Sequence, residues 1–235
     1  MFLISCQDPS RLIARSIKAG QPIIVVRINY RLNIFGFLAS SRLSSSSGCN
    51  FGFFDQVTAL QWIKANIAAF GGDPNKMTLG GQSAGGTSVY IHALQALCTD
   101  SEPSLRSCII QSPAAGLCGP FAMHTADSRW NVLCQYLELS GKSTDECLER
   151  LRSITEKALL AVVADLGWGI FTLIDEASLI HGLADQTNTQ VTALNRSRMA
   201  GTIGSSSNQR HPLSILSSIT SYEVRTADLI IPLSF

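Results

Sequence analysis

Apolar positions along the chain fall into distinct patterns, and their order carries the fold. Residues 21–30, QPIIVVRINY, form a nearly continuous aliphatic run behind Gly20. Continuous rather than alternating hydrophobicity marks a strand buried on both faces, as in a parallel sheet. In DQVTALQWIKANIAAF (55–70), Val57, Leu60, Ile63 and Ile67 recur at helical spacing, with Ala59 and Trp62 expected to widen the stripe. Asp55 is the expected N-cap, and GGDPNK (71–76) should stop the helix. MTLGG (77–81) reads as a short strand, 84–97 as a second helix and CIIQS (108–112) as a further strand. Strands alternating with helices in this rhythm predict an α/β fold around a mostly parallel sheet. Residues 128–164 read as amphipathic and mainly helical, 169–180 as strand or loop, and SSRLSSSSGCN (40–50) as a polar surface loop. After about residue 200 the text is serine-rich, and no element is assigned there.

Composition changes this picture little. Of 235 residues, 46% are hydrophobic and 15% charged, enough apolar material for a large core and too little charge for extended disorder. The net charge of +1 gives no reason to expect nucleic acid or an anionic membrane surface as a partner. The longest strongly apolar stretch, PIIVV, is far short of the roughly 18 residues of a membrane span. The opening MFLISCQDPSRL lacks the basic start and the apolar run of about 7–15 residues of an export signal. Seven cysteines without C-x-x-C spacing indicate neither a disulfide framework nor zinc.

One stretch carries chemistry. Gly81-Gln82-Ser83-Ala84-Gly85 matches G-x-S-x-G at the junction of an expected strand and an expected helix. That spacing suits a nucleophile elbow: a sharp turn holds the serine in a strained conformation with Oγ exposed, and the flanking glycines let strand and helix pass closely. The helix N-terminus favours negative charge, and the Ala84 N–H is placed to hold an oxyanion. The competing reading is a Gly/Ser turn needed only for packing.

VVRINYRLNIFGFLAS (25–40), NFGFFDQVTALQWIKANIAAFGGDPNKMTLGGQSAGGTSV (50–89) and CIIQS (108–112) together resemble the type-B carboxylesterases, the cholinesterase- and fungal-lipase-like branch of the α/β-hydrolases. The resemblance spans roughly residues 8–199. It implies a carboxylic ester hydrolase with a Ser–Glu/Asp–His triad, no metal and no organic cofactor, acting on small-molecule or lipid esters. Ser83 carries over as nucleophile and Ala84 as an oxyanion-hole donor, with Gly81 and Gly85 as elbow glycines. Family members are often secreted. Lipase and esterase stay open as alternatives, and no oligomeric state or compartment follows.

The same resemblance expects parts that the text lacks. An H-G-G-type loop should precede the 21–30 strand, and no His-Gly-Gly occurs. The triad acid should fall around 200–215, yet Gln186 through Tyr222 contain no Asp or Glu; Glu223 and Asp228 lie beyond. The triad histidine should come much later. His211 follows Asp175, Glu176 and Asp185 in the order the fold requires, with no motif behind it. His92 reads as a packing or surface residue, and His124 and His181 as loop residues. Neither triad acid nor histidine is identified. The expectation is an incomplete α/β-hydrolase domain over 1–199 with N- and C-terminal parts missing, then an atypical tail at 200–235, either disordered or a gene-model artefact. Little or no turnover would follow; the alternative is a catalytically dead α/β-hydrolase-like binding module.

Other features follow from the resemblance or stand as minor motifs. Cys134 and Cys147 resemble a family disulfide, against which stands a pair of buried thiols. Cys98, Cys108 and Cys118 read as small core residues. Asp55 also resembles a family position supporting the elbow. Trp168 and Phe171 line either an acyl pocket or the core, and Asn195-Arg196-Ser197 is a glycosylation sequon.

Overall fold

The computed structural model describes residues 8–43, 49–98, 105–111, 121–168, 214–218 and 227–232. The chain divides into two units, one of Met1–Asn29, Gln56–Ala115 and Asn208–Phe235, the other of Tyr30–Asp55 and Gly116–Ser207.

The first unit holds a five-stranded sheet. Its strands are β1 (Ile23–Arg27), β2 (Thr78–Gln82), β3 (Ser107–Gln111), β4 (Ser214–Ser218) and β5 (Ala227–Pro232), in the order β1-β5-β2-β3-β4. The expected parallel pairing holds for β2 with β3 and β3 with β4. β5 departs from it, lying antiparallel between β1 and β2. Both β4 and β5 come from the stretch to which no element was assigned. Their apolar cores, Ile215-Leu216 and Leu229-Ile230-Ile231, are too short between polar neighbours to show a period.

α1 (Ser10–Lys18), to which no element was assigned above, precedes β1 and packs against it. Its start is fixed by the Asp8 carboxylate, which accepts from the Ser10 N–H at 3.0 Å. No residue of α1 is fully buried, although Leu12, Ile13 and Ile17 fall on one face of its nine residues and Arg11, Arg15 and Lys18 on the other. α3 (Phe51–Asn66) and α4 (Ala84–Cys98) supply the helical side of the core. Leu60, Ile63 and Ile67 meet Met77, Leu79, Val89, Ala93, Cys108 and Ile110, with Ile24 and Val26 of β1 packed alongside. Leu60, Ile63 and Ile67 of the predicted stripe are thus buried, whereas Val57 and Ala59 are half-buried and Trp62 is 56% exposed. Two residues beyond Leu60 is about 200° around a helix, on the opposite side. A 3-10 turn (Ile67–Phe70) ends on Gly71 at φ 83°, where the left-handed conformation favours glycine.

The second unit contains α2 (Asn33–Phe37), α5 (Met123–Tyr136), α6 (Thr144–Ser153) and α7 (Glu156–Asp165). α6 opens with a capping box, Ser143 and Glu146 each satisfying the other's backbone N–H. Trp130, Leu133, Cys134, Cys147, Leu151, Leu159 and Val163 form its core with Ile34. Trp168 packs on this cluster, with the Arg129 guanidinium 5.9 Å from its ring centroid, which favours the core-packing reading. His124 is not a loop residue: α5 begins at Met123, five residues before the helical stretch expected from the pattern, and His124 sits exposed in its first turn. The two ends of the 40–50 stretch, unlike Ser41 and Arg42, are less exposed than its composition implied; residues 44–48 lie outside the described residues. Ser40 is buried and donates to the Asp127 carboxylate at 2.7 Å; Cys49 and Asn50 are buried as well.

Asp55 is not the N-cap of α3. The helix starts four residues earlier, and the Asp55 carboxylate instead receives Arg31 Nε and Nη2, each at 2.7 Å, and the Arg31 N–H at 3.0 Å. This bidentate pair holds the Asp55 carboxyl below its ordinary range, through hydrogen bonds from Arg31 that outweigh partial burial. The expected glycine close approach recurs nearby. A Cβ at Gly52 would meet the Arg31 carbonyl and, at 2.6 Å, the Phe37 ring.

Candidate active site

Ser83 is the single residue between β2 and α4, and it has φ 55°. A side chain in the left-handed region costs roughly 1–2 kcal/mol, so the turn persists only because its surroundings impose it. Those surroundings are explicit. The Ser83 N–H donates to the Gln111 carbonyl at the end of β3, 2.9 Å away. The Ser83 carbonyl accepts from the Thr87 N–H at 2.9 Å and from Thr87 Oγ1 at 3.4 Å. Both peptide planes flanking the serine are therefore pinned, one by the neighbouring strand and one by the first turn of α4.

The second of those planes carries the Ala84 N–H. It opens α4, where the first N–H groups lack intrahelical acceptors and point toward incoming negative charge. At Gly81 the close approach is explicit. A Cβ on Gly81 would collide with the Gly85 carbonyl and come within 2.9 Å of Val89 Cγ2. Strand and helix run so close only because residue 81 has no side chain.

His92 lies on α4, buried, nine residues beyond Ser83 and hence about 13 Å further along the axis. Its Nε2 is 3.0 Å from Gln56 Oε1 of α3. Burial drives its pKa down to about 3, so the ring is neutral at pH 7. It is in no position to take a proton from Ser83 Oγ. His124 belongs to the second unit. His181, His211, Asp175, Glu176, Asp185, Glu223, Phe171, Cys118 and the Asn195 sequon lie outside the described residues. Asp228 stands on β5, in register with Gly80 on one side and Arg27 on the other.

Cys134 and Cys147 are both buried, their sulfurs 3.8 Å apart and unbonded. Burial first, and then the neighbouring thiol, push Cys134 up to about 11. Cys108 is a buried core thiol, as expected, and burial pushes it up to about 12.

Residues 4–223 match the family model described as the carboxylesterase family. The chain belongs to the carboxylesterase family. Among its relatives, Lipase 5 of Diutina rugosa is 36% identical over 160 residues, 67% of this chain and 29% of that protein. The inactive carboxylesterase-like protein VdtD of Byssochlamys spectabilis is 41% identical over 108 residues, 46% of this chain and 18% of that one. The structure of the Geobacillus stearothermophilus carboxylesterase EST55 superposes with a TM-score of 0.60 at 30% identity, covering 82% of this chain and 36% of that one. This carboxylesterase-family chain thus has the α/β-hydrolase fold, and it spans less than a third of the length of Lipase 5.

The G-x-S-x-G spacing pointed to the turn at Ser83 but not to the hydrogen-bonding residues in and behind it, Gln56, Thr87, Ser88 and Gln111. One signal was available. Gln56 falls four residues before Leu60, on the same buried helical stripe, where a polar side chain needs a partner.

Proposed function

We propose that the site is that of a serine carboxylic-ester hydrolase, with Ser83 as nucleophile and the Ala84 N–H as one oxyanion donor. The observation that carries the reading is the φ of 55° at Ser83, held between β2 and α4 with both flanking peptide groups hydrogen-bonded. On this reading Ser83 Oγ attacks the ester carbonyl carbon, its proton passes to a base, and the alcohol leaves. Water then cleaves the acyl-serine. The substrate is a small-molecule or lipid ester. Slow turnover is the expectation for this 235-residue chain, because His92, the histidine nearest Ser83 in sequence, is buried against Gln56. Hydrolysis of a p-nitrophenyl acyl ester tests the reading. A weak activity abolished by Ser83→Ala supports it; a rate unchanged by that substitution contradicts it.

A second reading, a binding module without catalysis, is favoured by the 41% identity to a relative described as inactive. Retention of a strained serine weighs against it, since a module without catalysis gains nothing from left-handed backbone at that position.

A further inference from the structure

α3 and α4 are joined by a buried polar chain directly behind the elbow. Gln56 on α3 faces both Ser88 and His92, which lie one turn apart on α4. Gln56 Nε2 donates to Ser88 Oγ at 3.1 Å, and Ser88 Oγ donates to the Ala84 carbonyl at 3.2 Å. At the other end, His92 Nε2 is 3.0 Å from Gln56 Oε1. All three side chains are buried.

The donors and acceptors fix one direction. Ser88 spends its hydrogen on the Ala84 carbonyl, so its lone pairs face Gln56 and call for the amide nitrogen. Gln56 Oε1 is thereby turned to His92, which must present an Nε2–H. The neutral ring that burial imposes supplies this donor in one tautomer. A helical serine commonly turns its hydroxyl onto the i−4 carbonyl. Here that hydroxyl is locked in place from another helix, 32 residues away in sequence.

We propose that His92, Gln56 and Ser88 are positioning residues that brace the first turn of α4, holding Ala84 and with it the elbow around Ser83. This first turn is where a helix frays most readily, because its N–H groups have no intrahelical acceptors. A chain of three oriented hydrogen bonds in a dry interior is stiff, and leaving any member unpaired is costly. The chemical purpose of the brace rests on Ser83 acting as nucleophile; the brace itself rests on the geometry.

Amide hydrogen exchange at Ser83 and Thr87 is the direct readout, because their N–H groups close the elbow onto Gln111 and onto Ser83 itself. Gln56→Leu and the milder Ser88→Ala are each expected to speed exchange at these two amides roughly tenfold. Amides in the middle of β3 should stay within about twofold of wild type. His92→Leu should match Gln56→Leu. His92→Gln, which returns an amide N–H near the Nε2 position, should restore slow exchange. Unchanged exchange at Ser83 and Thr87 in both Gln56→Leu and Ser88→Ala overturns the brace, as does acceleration spread evenly over β2, β3 and α4. Fluorophosphonate labelling of the same proteins separates the two claims. An unlabelled wild type removes the nucleophile, whereas exchange decides the brace whichever way labelling falls.

Discussion

Replacing Ser83 by glycine should make the protein more stable. The serine sits at φ 55°, where an L side chain costs roughly 1–2 kcal/mol relative to glycine. Glycine relieves that strain and adds freedom to the unfolded chain, which costs about 0.4–1 kcal/mol. Nothing else is lost, because the bonds holding the turn, Ser83 N–H to Gln111 O and Thr87 N–H to Ser83 O, are backbone bonds that glycine keeps. The balance is a gain of about 0.5–1 kcal/mol, or a rise of about 0.3 M in the urea midpoint for a slope near 2–3 kcal/mol/M. Ser83→Ala is the control, since it removes the hydroxyl and keeps the strained Cβ; its midpoint should not rise. Urea unfolding followed by tryptophan fluorescence measures both variants. A Ser83→Gly midpoint at or below wild type, or an equal rise in Ser83→Ala, would refute the claim that the elbow stores backbone strain.

Other outcomes follow from the same geometry. Gly81→Ala should destabilise by about 1–3 kcal/mol and suppress phosphonate labelling, because its Cβ drives into the Gly85 carbonyl and Val89; a wild-type urea midpoint would contradict it. His92 has a folded pKa near 3 against an ordinary 6.5, so the unfolded state binds the extra proton between those values. Stability should therefore fall as pH drops from about 6.5 toward 3, by up to about tenfold in the unfolding equilibrium per pH unit. His92→Gln should flatten this slope by about one proton, and an unchanged slope in acid titrations of stability would show that His92 is not buried neutral. For Cys134 and Cys147, we propose that the buried pair closes to a disulfide in an oxidising medium, with an oxidant accepting the two electrons and two protons. The test is a peptide map under non-reducing conditions: a linked Cys134–Cys147 peptide is expected, and two separately alkylated peptides would contradict it.

What the sequence made legible was local. Leu60, Ile63 and Ile67 announced their helix because the 3.6-residue period is carried by the side chains that face the sheet. Gly81 announced the elbow because the collision it avoids, with the Gly85 carbonyl, lies within five consecutive residues. Errors arose where a partner is remote. Asp55 looked like a cap until Arg31, 24 residues back, took its carboxylate, and FGFF before it has no period to mark the true helix start. β5 was invisible because its place between β1 and β2 is set by pairing with strands some 150 and 200 residues earlier, not by its own six residues. Gln56 and His92 are 36 residues apart, so neither alone pointed to the other.

Labelling with a fluorophosphonate, followed by peptide mass spectrometry to locate the adduct, asks directly whether Ser83 is a nucleophile. The reagent bonds covalently to a serine only where its Oγ is activated. A single adduct on Ser83 is expected, lost in Ser83→Ala, even where turnover of ester substrates is slow. A folded protein that stays unmodified at Ser83 under conditions that fully label an active carboxylesterase would contradict it.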